Sequence, residues 1–289
     1  MKLIQFTKEL PRKIQYRFGL YLGMAKLYLK IFTIEKYVQK FDDISSNKAP
    51  IFLVNITSSP TRPSFMQLVL LITGWILRVR GEKVKIISCN GALSPCPQGG
   101  SKNNVFKEPP CRRCKLNRGL IFNKFEKISL NRTKTNTVNC STGINFQHNN
   151  YKVGEYVIHT LRHFFKRYNL ELNSNEEFIY KKFNTSSVDV INQFEKVVES
   201  EKPKKVVIFN GIFFPEASIR SVCERKGIDH ITYEMGFHEM SSYFSEKIAP
   251  AYEIDNRSSF LSEAENKKLD TSQWGLLNSG VVLFLKILN

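Results

Sequence analysis

IFLVNITSSPTRPSFMQLVLLITGWILRVRGEKVKIIS, residues 51–88, decides how this chain folds. Its opening run, IFLVNI (51–56), is apolar almost throughout, as in a parallel strand covered on both faces, and lacks the alternation of a strand with one side in water. SSPTRP (58–63) supplies turn chemistry. Phe65, Leu68, Ile72, Ile76 and Val79 then recur at helical spacing, and Gly81 closes the helix. VKIIS (84–88) reads as a second strand, so the segment is a β-α-β unit with an expected right-handed crossover.

The same rhythm returns in KKVVIFNGIFFPEASIRSVCERKGIDHITYE, residues 204–234: a short apolar strand, Asn210-Gly211, a helix stopped by Gly227, and a further strand. Between the two units, helical patterns run through Val157, Leu161, Phe164, Phe165 and Tyr168, and through Val190, Ile191, Phe194 and Val198. Strands alternating with helices predict an α/β fold, a Rossmann-like, mostly parallel sheet flanked by helices. That domain is expected over 46–260. Residues 89–150, rich in Gly, Pro, Asn, Lys and Cys with little sustained periodicity, read as a cysteine-containing loop insertion, and a loop of that size is functional or held by something other than a core. The region from 261 to 289 is expected to be a helical tail and the start of a further domain.

Residues 1–45 form a basic, aromatic lead segment of helical pattern, with Leu20, Met24, Leu27 and Ile31 among Lys26, Lys30 and Lys36. Such a helix lies on a membrane surface or packs on the domain with a solvated lysine face, and both readings stand. Lys2, Lys8, Arg12, Lys13 and Arg17 interrupt the apolar positions of the first 20 residues, which is not the pattern of a signal peptide. A cytoplasmic location is therefore expected, with peripheral contact at the inner face of the cell membrane through the lead segment. The apolar stretches 68–77 and 280–285 fall short of the roughly 20 residues that cross a bilayer.

With 289 residues and 42% apolar content the chain can bury a real core, which excludes disorder throughout. Lys and Arg number 43 against 26 acids, a net charge of +17 that draws phosphorylated ligands, anionic membrane or nucleic acid without choosing among them. Part of that excess is compositional background in a chain rich in Lys, Asn, Ile and Phe.

In open parallel sheets, ligands sit beyond the carboxyl ends of the strands. Here that rule selects residues 55–62, 89–96, 210–216 and 234–239. Asn210 and Gly211 offer an amide and a close-approach backbone for substrate binding. Glu234 and His238 offer a carboxylate and an imidazole for general base work, with Glu239 beside them for binding; the competing reading is an ordinary strand-end carboxylate bonded to a helix N-terminus. Six cysteines in a reducing compartment suggest metal binding before disulfides. Cys111-Arg-Arg-Cys114 has the spacer that lets two thiolates share a tetrahedral metal, and Cys89 and Cys96 complete a structural zinc set, against the reading of merely packed thiols. Neither GxxxxGK[ST] nor GxGxxG occurs, which removes the standard nucleotide-hydrolase and dinucleotide-oxidoreductase readings.

VVIFNGIFFPEASIRSVCERKGIDHITYEMGFHEMSSYFSE (206–246) resembles a segment of capsule and exopolysaccharide glycosyltransferases of the two-Rossmann-domain (GT-B) type, in which one strand ends in Asn-Gly and the next in Glu-x-Gly. VKIISCNGALSPC (84–96), followed by CRRC (111–114), is similar to the cysteine-bearing loop of the same group. Ile212 stands where that group often carries an arginine. The resemblance, over about residues 50–260, implies the amino-terminal, acceptor-side half of an enzyme moving a sugar from a nucleotide-sugar donor to a glycan or lipid-linked acceptor. It implies Glu234 or His238 as base, Asn210 and Gly211 as positioning groups, no cofactor for the transfer itself, structural zinc at most, and a donor site outside this chain. A second reading, of a different class, is a metal-stapled basic module that binds nucleic acid through Lys102, Lys107, Arg112, Arg113, Lys115 and Arg118 around the cysteines; nucleic acid ranks behind the glycan as partner.

Overall fold

Every residue of the strand β1 (Ile51–Asn55) is buried. The computed structural model describes residues 12–44, 48–59, 62–133, 144–170, 174–236 and 241–246. In it β1 runs parallel to β2 (Val84–Asn90) on one side and to β4 (Lys205–Phe209) on the other. Beyond β2 lies β3 (Glu126–Asn131); beyond β4 lie β5 (His230–Met235) and an antiparallel edge strand, β6 (Ser242–Glu246). The order across the sheet is β3-β2-β1-β4-β5-β6, an α/β arrangement of Rossmann-like type as the strand-helix rhythm predicts.

Because side chains alternate across a strand, β1 serves two cores. Phe52 and Val54 join the cluster formed with α4 (Val153–Phe165), α5 (Ser174–Glu201) and α6 (Glu216–Lys226). Ile51 and Leu53 face the opposite way, toward α1 (Arg12–Val38), α2 (Phe65–Val79) and Ile121 at the end of α3 (Cys111–Ile121). Residues 39–44 continue α1 as a 3-10 helix.

The lead helix is packed on the domain along one stripe, with Ile31, Glu35 and Val38 buried. Glu35 accepts hydrogen bonds from Trp75 Nε1 (2.6 Å) and Arg78 Nη1 (2.5 Å), while Asp42 takes Arg78 Nε and Nη2 at 2.8 and 2.6 Å. This satisfied polar knot holds α1 against α2. Its opposite face leaves Leu29, Tyr37, Lys26, Lys30 and Lys36 exposed. No helix among the described residues is long and apolar enough to cross a membrane.

The 89–150 stretch carries more regular structure than its pattern suggests. It contains α3 and the edge strand β3, whose residues are mostly exposed, so neither shows the apolar periodicity by which helices and central strands are recognised. The edge strand β6 is likewise absent from the pattern: it pairs with β5 through backbone bonds while most of its residues remain half-exposed. The tail from 261, together with Cys140, His238 and Glu239, lies outside the described residues.

Gly74 sits where α2 crosses the sheet, and a Cβ there would stand 2.6 Å from the Phe125 ring and 3.0 Å from Leu53. Phe125 is itself held by Phe122 and by the Arg78 guanidinium stacked 4.7 Å from its centroid. Gly74→Ala is expected to lower stability in urea melts by about 1–2 kcal/mol, overpacking outweighing the gain in helix propensity. Gly119→Ala, with nothing within 4 Å of the added carbon, should instead raise it by roughly 0.5–1 kcal/mol.

Candidate functional site

β1 and β4 lie side by side, yet the chain leaves β1 for α2 on one face of the sheet and β4 for α6 on the other. Where neighbouring strands send their connections to opposite faces, a crevice opens beyond their carboxyl ends. A cavity of about 150 Å³ occupies this position, walled by Asn55 and Thr57 after β1, Gln67 on α2, Glu216 at the start of α6, and the rings of Phe209 and Tyr233.

Its polar walls are incompletely satisfied. Asn55 is 3% exposed, and neither its Nδ2 nor its Oδ1 has a hydrogen-bond partner. Gln67 is the third residue of α2 and closes a capping box with Ser64: its backbone N–H donates to Ser64 Oγ (3.2 Å), and its Oε1 accepts from the Ser64 N–H (3.1 Å). Oε1 is thereby used inside the protein while Nε2, also buried, has no partner. A buried polar group without a partner costs about 1–3 kcal/mol, so orphans gathered on one cavity call for a ligand or water that satisfies them.

Glu216 completes the wall. It is 5% exposed, its carboxylate accepts a hydrogen bond from the Thr57 hydroxyl, and burial pushes its pKa up to about 7 against the bonds from Thr57 and from its own and the Thr57 backbone N–H groups. A carboxyl held there exchanges its proton near neutrality, as a general base requires. Tyr233, which donates to the Met66 carbonyl (3.1 Å), is pushed far above the ordinary phenol value, by burial first and by the Glu216 charge second.

Asn210 and Glu234 do come together: Asn210 Nδ2 donates to Glu234 Oε1 at 3.0 Å. The amide's other end is also engaged, Oδ1 accepting from the Ile212 N–H at 2.9 Å, and the residue sits in the left-handed region at φ 58°. Gly211 follows at φ 76°, where a Cβ would meet Thr232 at 3.0 Å and Arg220 at 3.1 Å. Asn210 and Gly211 thus shape the turn out of β4 and pin it to β5, and neither they nor Glu234 wall the switch-point cavity. The sequence selects the loops 55–62 and 210–216, which hold Asn55 and Glu216, but favours Asn210 and Glu234, and Gln67 lies outside every loop it selects. The one local signal was an Asn inside the apolar run IFLVNI, at the carboxyl end of a central strand.

Cys89, Cys96, Cys111 and Cys114 converge. All four line a smaller cavity of about 30 Å³ that shares Ser58 with the first. Among the described residues no three His, Cys, Asp or Glu side chains stand close enough to hold a metal ion as they lie. Burial pushes the Cys96 thiol up to about 12. Of the cations around the cysteines, Lys102, Lys107, Arg112, Arg113 and Lys115 are exposed, whereas Arg118 is buried and donates to the Cys89 carbonyl (2.6 Å), so it takes no part in an outer phosphate-binding array. Cys223 is buried in α6.

These features define a Rossmann-like α/β protein with a cavity of mixed polar and apolar lining at its topological switch point. Compared with known proteins, the chain matches no family model and no curated sequence.

Folding raises the Glu216 pKa from its ordinary 4.5 to about 7, so the folded chain holds this proton more tightly than the unfolded one. The stability linked to this group is fully present below pH 4.5 and is lost as pH rises through 7. Glu216→Gln removes the titration. Its melting temperature is expected to match that of the unsubstituted chain near pH 4.5 and to exceed it increasingly toward pH 8, where the gain approaches about 3 kcal/mol; a gap independent of pH would contradict the assignment.

Proposed function

We propose that the switch-point cavity binds a hydroxyl-rich sugar acceptor, and that the chain is the acceptor-side domain of a glycosyltransferase of surface polysaccharide biosynthesis. The observation carrying this reading is the Glu216 carboxyl, poised near neutral pH in a cavity that also carries the unpartnered amide groups of Asn55 and Gln67. A sugar hydroxyl both donates and accepts, which matches the free Nδ2 and Oδ1 of Asn55 and the free Nε2 of Gln67, while Phe209 and Tyr233 offer apolar surface to the ring. The resemblance of 206–246 to capsule and exopolysaccharide transferases points the same way.

In this reading Glu216 takes the proton from an acceptor hydroxyl as that oxygen forms a bond to the anomeric carbon of a nucleotide-sugar donor. The bond from that carbon to the donor's phosphate oxygen breaks, and the nucleotide leaves with the electron pair. Glu216 stands in the base's place ahead of Glu234, which is engaged by Asn210 away from the cavity walls. The outward face of α1, with Leu29 and Tyr37 among Lys26, Lys30 and Lys36, suits an anionic inner membrane surface where lipid-linked acceptors reside.

Two substitutions test the reading. Asn55→Leu removes two orphaned groups at similar volume; it is expected to stabilise the free protein by about 1–2 kcal/mol while abolishing the saturation-transfer NMR signals of bound oligosaccharides. Glu216→Gln should lower the transfer rate by about 10²–10⁴-fold and erase the rise in rate with pH through 7 that a deprotonated base imposes. Transfer at an undiminished rate in Glu216→Gln would end its candidacy as base, and oligosaccharide binding that survives Asn55→Leu would move the acceptor elsewhere.

A further inference from the structure

We infer that Cys89, Cys96, Cys111 and Cys114 hold one zinc ion as a tetrahedral set of thiolates, stapling the insertion to the carboxyl edge of the sheet. The four residues come from three separate places, β2, the turn after it and the first turn of α3, yet they share the lining of one cavity. At about 30 Å³ the space is small beside the switch-point cavity, which suits a single ion.

Burial favours the protonated thiols of Cys96 and Cys111, and backbone N–H groups oppose it at Cys96. Cys96-Pro-Gln-Gly-Gly folds into a tight turn in which the Gly100 N–H donates to the Cys96 carbonyl (2.7 Å) and the N–H groups of Gly99 and Gln98 donate to the Cys96 sulfur. N–H groups aimed at a sulfur favour its charged form. The turn must be glycine-rich to fit, since a Cβ on Gly99 would lie 3.1 Å from both Pro109 and Pro110. Cys111 opens α3 and Cys114 follows one turn later, so both sulfurs face the same way at a helix N-terminus that carries no side-chain cap. Lys115 lines the same cavity, and the buried Arg118 donates to the Cys89 carbonyl, so two cations stand at the site.

As they lie, the sulfurs are not drawn onto one point. Convergence on one ion requires the side chains to take other staggered rotamers. On binding, four S–H bonds break and four S–Zn bonds form; four protons go to solvent, the centre carries two negative charges, and no oxidant or reductant takes part. Ser58, in contact with Cys114 Sγ through its hydroxyl at 3.5 Å, walls both this cavity and the Glu216 cavity, so the zinc fixes the loop after β1 beside the acceptor site.

The test is metal analysis of the whole chain, purified under reducing conditions from zinc-supplemented cells. One zinc per chain is expected. Cys114→Ser and Cys96→Ser should each reduce it to a tenth or less, while Cys223→Ser retains it. Should the serine variants fail to fold, titration of the unsubstituted chain with an organomercurial must release one equivalent of zinc, and Co²⁺ reconstitution must give the intense visible bands of a tetrahedral thiolate site. A chain without zinc or cobalt bands, a brown iron-sulfur chromophore, a disulfide among the four residues, or equal loss of zinc in Cys223→Ser would each overturn the assignment.

Discussion

Burial of both faces of β1 is the constraint from which the rest of the architecture follows. A strand with Phe52 and Val54 on one side and Ile51 and Leu53 on the other cannot leave either face to water, so helices must cover both. Each of these side chains contributes about 1.5–3 kcal/mol when fully buried. The chain meets the demand by sending the connection after β1 to one face and that after β4 to the other, and the crevice between them is the geometric consequence. The location of the candidate site is thus a by-product of how the core is closed.

What fills that crevice is polar, and the molecule shows elsewhere that it can satisfy buried polar groups. Arg78, nearly as buried as Asn55, is matched by Glu35 and bidentately by Asp42, with Trp75 completing the knot. Satisfied networks of this kind specify one packing and hold α1 in register against α2. Asn55 and Gln67 have no such partners, and Glu216 has the Thr57 hydroxyl and nearby backbone N–H groups but no cation. Stability is forgone at the mouth of the sheet, where binding groups must stay available, and also at a few buried groups elsewhere, Asn184 on α5 among them.

The basic excess has a local structure too. Arg78 and Arg118 are consumed inside the protein, and Lys85, buried in β2, is held by Glu126 of β3 (2.6 Å) and Glu201 of α5 (2.8 Å). Other cations stand on the outer face of α1 and around the cysteine cavity, and many more are spread over the rest of the described surface. Several cations are thus spent inside the protein and the rest are dispersed, so net charge alone is a poor guide to partner.

Sequence alone determined the central strands, their helices, the Rossmann-like class and two loops that border the switch-point cavity, because burial on both faces writes continuous apolar runs and helical packing writes a regular spacing. It also placed Asn210 beside Glu234 and drew attention to the four cysteines. Edge elements were illegible, as in α3, β3 and β6, since their stability comes from backbone pairing and neighbours and leaves little apolar pattern. Only the tertiary structure showed that Asn210 is spent on Glu234 and Ile212, that Glu216 lies 161 positions from Asn55 in the chain yet shares its cavity, and that Gln67 keeps a free Nε2 after capping its own helix. A side chain's availability depends on which partners surround it in space, and no local spacing records that.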